Sequence, residues 1–580
     1  MFGTKQTVAD QLVEVLVQAG VERIYGIVGD SLNSLSDAIR RSGAIEWVHV
    51  HNEEAAAFAA SAEAQLTGRL TVCAGSCGPG NTHLIQGIFD AHRSGAPVLA
   101  IASQIVSTEI GTGFFQETDP KQLFGQASHF TELLSSAGQM PRMARVAIQE
   151  AIGKRGAAVL VVPGDVLSAK AVNETGTAHR PAGPVIGAPD PAVIEELAER
   201  INQAGTVTIF GGIGCAGARD EVLKLADVLA APVGHSLRGK ESLQYDNPFD
   251  VGMSGLLGYG ACFQASHEAD LLLLLGTDFP YRQFLPGANT VQVDIDPSRL
   301  GRRTPLVQGV AGDVGATIRA LLPKLHRKNR DFLDRMLGKH SEELERVVGA
   351  YTHDVEHLTP IHPEYVAATL DREAAADAIF TADTGMCCTW IARYITPNGR
   401  RRLLGSWVHG TMANALPQAL GAQKAFPGRQ VVSMSGDGGL AMLLGELLTA
   451  KLHDLPVKTV VFNNSSLGMV RLEMLVAGAP PFGTDHEAVD FAAIARGAGI
   501  LGIRVEKPGD LRQAVREFLG HDGPAVLDVV TDPNALELPP HLSAEEAAGF
   551  ALGVGRTVLG GGVGQMLDLA RTNLRNIPRP

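Results

Sequence analysis

Short runs of apolar residues alternate with stretches of helical period along most of the chain. In the first third, residues 23–28, 45–51, 70–74 and 97–102 read as buried strands, with helical patterns between them. Val8, Leu12, Val15, Leu16 and Ala19 share one helical face behind Thr7 and Asp10, a capped start, and Gly20 ends that helix. Pro163-Gly164-Asp165 closes the last strand of the unit. This rhythm predicts a doubly wound domain with a parallel sheet over residues 1–180. A proline-rich stretch, 181–190, separates it from a second unit at 191–335. Residues 324–358 are charged and poor in strand pattern, and read as a helical connector. A third unit spans 359–535. The fold class expected is α/β, three doubly wound parallel-sheet domains plus a C-terminal amphipathic helical tail at 536–580.

The third unit carries the most informative pattern. Residues 430–434 read as a strand that delivers Gly436-Asp437-Gly438-Gly439 to a loop. Residues 440–454 read as one helix, with Leu443, Leu447 and Ala450/Lys451 at near-helical spacing. A second apolar run, 457–462, delivers Asn463-Asn464 to the next loop. Both loops of such a unit lie at the carboxyl ends of neighbouring parallel strands, where these sheets bind ligands. Asp437 offers a carboxylate, Asn464 an amide oxygen and the irregular Ser465-Ser466 a free backbone carbonyl. Those are hard ligands suited to Mg²⁺ or Ca²⁺, and Mg²⁺ commonly completes its octahedron with phosphate oxygens. Gly438 and Gly439 let backbone N–H groups approach a phosphate closely.

Composition narrows the class. A chain of 580 residues is too long for one core. Its net charge of −13 leaves no basic surplus for general nucleic-acid binding, so no nucleic-acid partner is expected. An anionic cofactor then needs local compensation by a metal or by N–H groups. The six scattered cysteines form neither a disulfide framework nor a paired metal motif, which suits a reducing cytoplasm. Residues 5–19 are amphipathic rather than continuously apolar, unlike a signal peptide, and no run of apolar residues is long enough to span a membrane.

The Gly-Asp-Gly loop, followed 27 residues after its aspartate by the second of two asparagines, resembles the signature of the thiamine diphosphate (ThDP) enzymes. Within that family the whole chain, residues 4–575, is most similar to the flavin-dependent pyruvate oxidases, including the quinone-linked pyruvate dehydrogenases. The resemblance implies oxidative decarboxylation of pyruvate to acetate and CO₂, with ThDP, Mg²⁺ and FAD, and electrons passing to membrane quinone. It implies Mg²⁺ on Asp437, Asn464 and Ser466, with Gly438, Gly439, Ser465, Leu467, Gly468 and Met469 along the cofactor. Met469 stands where an aromatic residue is expected.

Other segments carry the likeness further. His51-Asn52-Glu53-Glu54 precedes an alanine-rich helix, 55–65. Read alone, Glu53 and Glu54 are first-turn acids favoured by the helix dipole. By resemblance Glu53 shares a proton with the cofactor's aminopyrimidine ring, and Asn52 replaces the usual histidine before it. Residues 76–81, Ser-Cys-Gly-Pro-Gly-Asn, read as a strand-to-helix turn, which by resemblance lines the pyrimidine side. By resemblance, too, Phe115 and Gln116, in an irregular stretch, face the substrate. Gly410, Thr411 and Met412 precede a helix, and the resemblance implies that Met412 wedges beneath the bent cofactor.

In the middle unit, residues 212–217 match a dinucleotide fingerprint, but His235-Ser236-Leu237-Arg238 stands where the required acid belongs, which argues against NAD. The loops Ser254-Gly255-Leu256-Leu257, Thr277-Asp278-Phe279-Pro280-Tyr281 and the strand end at Asp294 match the flavin-binding relatives instead. In the tail, Phe550, Val554 and Val558 share a face, as do Val563, Met566/Leu567, Ala570 and Leu574 beyond three glycines at 560–562. That pattern fits a surface helix at a lipid interface, or a tail docked on its own protein. The quinone-linked relatives imply the former, and a location at the inner face of the cell membrane. Glu53 and Asp437 fall in separate domains, and the family joins them across subunits, implying a homotetramer. The alternatives are an acetolactate synthase-like carboligase, a phosphate-dependent oxidase making acetyl phosphate, and a non-enzymatic nucleotide-binding scaffold.

Overall fold

The computed structural model describes residues 6–176, 181–183, 186–535, 544–559, 563–573 and 575. Three six-stranded sheets, all parallel, carry the chain. The first contains β1 (Arg23–Gly26), β2 (Glu46–His49), β3 (Thr71–Gly75), β4 (Val98–Gln104), β5 (Phe130–Leu133) and β6 (Ala157–Pro163), in the order β2-β1-β3-β4-β6-β5. The second contains β7 (Val207–Gly211), β8 (Val233–His235), β9 (Asp250–Met253), β10 (Leu271–Leu275), β11 (Thr290–Asp294) and β12 (Gln308–Ala311), ordered β12-β11-β10-β7-β8-β9. The third contains β13 (Ile379–Ala382), β14 (Arg402–Gly405), β15 (Val431–Gly436), β16 (Lys458–Asn463), β17 (Leu501–Val505) and β18 (Ala525–Val530), ordered β14-β13-β15-β16-β18-β17. Sheets one and three therefore repeat one topology. Sheet two has the dinucleotide-fold order instead.

The strands are near-continuous apolar runs because both sheet faces are covered by helices. The three sheets are cored by clusters around Leu99 and Leu160, Leu273 and Val291, and Phe380 and Leu527, with further clusters across their opposite faces. The first helix, α1 (Val8–Gln18), starts on the expected capping box between Thr7 and Asp10.

Helix α2 (Glu53–Thr67) is the buried axle of the two outer domains. Its alanines, 55–57, 59, 60, 62 and 64, are almost wholly buried, and α3 (Pro79–Ser94) and α5 (Ala415–Ala425) pack on it. Gly87 of α3 and Gly421 of α5 sit so close that a Cβ at either would strike α2, at Ala57 and at the Ala59 carbonyl. Small side chains on both sides permit that approach. The helical connector is α4 (Asp331–Arg346).

One expectation needs correction. The single helix over 440–454 is broken into α6 (Asp437–Met442) and α7 (Glu446–Leu452), with Leu443 leaving helical geometry before Gly445. The tail helices, α9 (Ala544–Leu559) and α10 (Val563–Thr572), dock on α8 (Gly468–Val476). Phe550, Val554 and Met566 join Leu569 against Leu472, Leu475 and Val476. Leu567 and Ala570, expected on the buried stripe, are exposed, because Met566 and Leu569 set the buried face at i, i+3 spacing. Gly549 and Gly553 lie against the carbonyls of Val476 and Leu475, where a Cβ at either would clash. Arg556 donates to the Gly478 carbonyl at 2.7 Å, and Arg575 stacks over Tyr351. Leu574 and the three glycines lie outside the described residues, as does part of the linker. Val558 and Leu559 remain on the outer face, 36% and 89% exposed. No helix among the described residues is long and apolar enough to cross a membrane.

Candidate active site

A cleft opens in the third domain at the carboxyl edge of its sheet, beside the switch point between β13 and β15 where the strand order reverses. Every residue lining it belongs to that domain, among them Asp383, Met412, Asp437, Asn464, Ser466 and Trp390. Gly438, Gly439, Leu467, Gly468 and Met469 complete the wall. The paired loops expected from sequence are thus brought together.

Asp437 is 3% exposed, and burial raises its pKa. Its Oδ1 accepts from the Gly438 N–H at 2.8 Å and its Oδ2 from the Ser465 N–H at 2.5 Å. Ser465 has a left-handed φ of 54°, which turns its N–H onto that carboxylate. Asn464 Oδ1 accepts from Ser466 N–H at 3.0 Å, and the Ser466 carbonyl accepts from Gly468 N–H at 2.9 Å. Each oxygen keeps a lone pair for a second partner. One carboxylate, one amide and one carbonyl make an all-oxygen set that fits a hard divalent cation sharing its shell with phosphates. Among the described residues no cluster of three or more His, Cys, Asp or Glu could hold a metal, so such an ion depends on this mixed set.

Met412 is thrust into the cleft by backbone geometry. Gly410 and Ala413 on either side have φ of 77° and 66°, and the methyl of Met412 lies near Gly438. Ala413 is a non-glycine residue in a conformation that costs about 1 kcal/mol or more. Thr411 is 7% exposed and is held by Gln86 of α3, which donates to its hydroxyl at 2.8 Å.

Asp383, at the end of β13, was not foreseen. It is 2% exposed, accepts from Ala415 N–H at 2.9 Å, and leaves Oδ2 without a partner. Burial pushes its pKa up to about 7. Gly439 is obligatory here, since a Cβ would strike that oxygen. The unpartnered Thr384 hydroxyl also lies in the cleft wall. Two orphaned polar groups beside a glycine-rich loop fit a polar ligand such as a diphosphate. His486 Nε2, 3.6 Å from Asp437 Oδ1, is a further neighbour without a sequence signal.

Glu53 is elsewhere in the chain's own architecture. It begins α2, is 6% exposed, and meets His83 Nδ1 at 2.9 Å. Its neighbour Asn52 caps the helix by accepting from Glu54 N–H at 2.9 Å. His83, on α3, is a partner that sequence reading missed. Gln116 has φ of 63° and packs against Gly78 and Cys77, whose Sγ is 3.6 Å from Gln116 Oε1. Phe115 beside it is 77% exposed. So Glu53, Gln116 and the 76–81 turn share the first domain, apart from the Asp437 cleft.

The middle-domain residues cluster along the carboxyl edge of sheet two. Gly212 and Gly214 touch Gly276 at the β7/β10 switch point. Ser254 is buried with its hydroxyl unpartnered, and Gly255, φ 108°, lies under the Phe279 ring. Leu256 and Leu257 are half-buried, Thr277 is buried, and Pro280 and Tyr281 are exposed. Asp278 is committed to Arg303, 2.8 Å from its Nε. Asp294, 3% exposed at the end of β11, accepts only from Asp296 N–H at 2.9 Å, and burial raises its pKa. A spare carboxylate at a strand end and a free hydroxyl fit the ribose of a nucleotide.

Three family descriptions match the chain in order: the N-terminal TPP binding domain of thiamine pyrophosphate enzymes at residues 6–123, their central domain at 194–321 and their C-terminal TPP binding domain at 383–529. The chain belongs to the thiamine pyrophosphate enzymes. It is 36% identical to a putative thiamine pyrophosphate-containing protein, YdaP, of Bacillus subtilis, over 94% of this chain and 95% of the relative. It is 29% identical to a pyruvate oxidase of Lactiplantibacillus plantarum over 91% and 90% of the two chains, and 30% identical to an acetolactate synthase of Mycobacterium bovis over 92% and 89%. The fold and the site thus define a ThDP-dependent enzyme of the family acting on 2-oxo acids.

Proposed function

We propose that the protein oxidatively decarboxylates pyruvate to acetate and CO₂, using ThDP with Mg²⁺ and passing electrons through FAD to a membrane quinone. The supporting observation is the middle domain: buried Ser254 and Asp294 keep unused hydrogen-bonding capacity at the carboxyl edge of sheet two, as a bound flavin nucleotide requires. ThDP, when bound, supplies the electron sink for loss of CO₂. The chain's own residues bind and orient. Asp437, Asn464 and the Ser466 carbonyl would hold the cation, and the N–H groups of the 436–439 loop and the Asp383 region would hold the diphosphate. Met412 shapes the cleft floor. Glu53 holds a proton for the aminopyrimidine end, and Gln116 and Phe115 close on the substrate carboxylate and methyl.

Glu53 does not line the Asp437 cleft of its own chain, which supports a site completed by a second copy and a dimer-based homotetramer. The tail's outer face, with Val558, Leu559 and Leu567, supports peripheral contact with a lipid surface. The deciding experiment is anaerobic addition of pyruvate to the holoenzyme while the flavin absorbance is followed. Bleaching is expected. A flavin that stays oxidised while acetolactate accumulates would establish the carboligase reading instead, which the acetolactate synthase relative keeps in view.

A further inference from the structure

A buried carboxylate from the third domain reaches the turn that presents Glu53. Glu446, the first residue of α7, is 1% exposed although it is an unpaired acid facing another domain. The His51 N–H donates to Glu446 Oε1 at 3.2 Å, with Oε2 at 3.5 Å. Thr449, one helical turn on, donates its hydroxyl to Oε2 at 2.7 Å. That hydroxyl has a single hydrogen, so it accepts from His51 Nδ1 at 2.7 Å, which fixes the His51 tautomer. At the end of the same helix His453 Nε2 donates to the His49 carbonyl at 2.8 Å. Three polar side chains at i, i+3 and i+7 therefore grip residues 49–51, and the next residues are the cap Asn52 and Glu53 itself.

Burial costs an unpaired carboxylate several kcal/mol unless hydrogen bonds offset it, and a helix surface has cheaper residues than Glu. The geometry points to a purpose: we propose that Glu446 is a positioning residue for Glu53, clamping the His51–Asn52 turn so that the Glu53 carboxyl is held at one place and angle. The clamp lies only nine residues beyond Asp437, and α6 and the Leu443 turn join the two. One short segment thus carries a cation ligand at its start and the clamp at its end. This rests on the reading of Glu53 given above.

The test uses the full-length holoenzyme and follows exchange of the C2 hydrogen of bound ThDP with deuterium, by NMR after acid quench. This readout needs no turnover. ThDP affinity is measured alongside from quenching of the tryptophan fluorescence, to which Trp390 in the cleft wall contributes. Glu446→Ala is expected to slow exchange about 10- to 100-fold, the scale of a misplaced proton-transfer group, with ThDP affinity changed less than about threefold. Glu446→Gln, which keeps one acceptor oxygen, is expected to fall between wild type and Ala. Thr449→Val serves if the alanine variant fails to fold, and is expected to slow exchange by removing the bridge to His51. Unchanged exchange in a folded Glu446→Ala or Thr449→Val protein overturns the proposal. So does a loss of exchange matched by an equal loss of ThDP affinity, which marks a merely structural role. Glu53→Gln is the control: if it exchanges at the wild-type rate, the assignment of Glu53 fails rather than the clamp.

Discussion

At the level of single residues, the chemistry divides between groups that hold charge and groups kept neutral by burial. On the proposed reading Asp437→Ala removes the one carboxylate that would hold the cation, so Mg²⁺-dependent ThDP binding should weaken by about 100-fold or more in a tryptophan-fluorescence titration. Glu53→Gln should retain ThDP but lose about 10²- to 10⁴-fold in kcat, the range of a positioned acid–base group. A different set of buried groups contributes to the pH dependence of stability. In the middle domain Asp250 lies between His235 Nε2 at 3.7 Å and His340 Nε2 at 3.8 Å, with Lys240, Tyr259 and Cys262 around them. Burial pulls His340 down to about 4 and His235 to about 3, and pushes Asp250 up to about 7. Between pH 6.5 and 4 the unfolded chain protonates both histidines while the folded one does not, so they cost stability as pH falls. Asp250 acts in the opposite sense, since only the folded state protonates it there. Within this cluster two groups outweigh one, so its own contribution is a loss of stability toward acid. His340→Gln should raise Tm at pH 4 relative to pH 6.5, compared with the same difference in the wild type, and an unchanged difference would show that His340 carries no such linkage.

Elements explain why part of the site could be read from the sequence. Asp437 and Asn464 were legible because each follows an apolar run of strand length, and parallel strands end at binding loops wherever they occur. Asp383, His83 and Glu446 were not, because their significance comes from partners hundreds of residues away in some cases and from burial in all. The break at Leu443 was invisible for another reason: helical period continues across it, and only the packing of α6 and α7 on different neighbours divides them. The tail shows how a stripe of apolar residues leaves its partner unnamed. Phe550 and Val554 suit a lipid surface and a protein surface equally; what decides is the pair Gly549 and Gly553, which lets α9 touch the end of α8. Gly553→Leu should therefore free the tail. Limited proteolysis between residues 536 and 560 would accelerate by about tenfold or more, while the three sheets stay intact. Gly421→Val belongs to the same class but strikes the axle, and should lower Tm by several degrees or prevent folding.

For the whole molecule, the three-domain plan was legible from apolar rhythm and proline-rich spacing, and the strand order within each sheet was not. Sequence shows that two units alternate strand and helix; it does not show which strands become neighbours, since that depends on crossovers and contacts between faces. The second sheet, with its dinucleotide order, sits between two copies of another plan. Mass and activity followed together on dilution should fall in step, because a lone chain presents Glu53 and the Asp437 cleft without joining them.

That separation also has a genetic consequence. A chain crippled at Glu53 still owns an intact Asp437 cleft, and one crippled at Asp437 still owns an intact Glu53. Co-expressed or refolded together, the Glu53→Gln and Asp437→Ala chains should restore a share of activity that neither possesses alone, each lending the half its companion lacks. Two defective alleles would then make a working enzyme, and a mixture as dead as its parents would return both halves to a single chain.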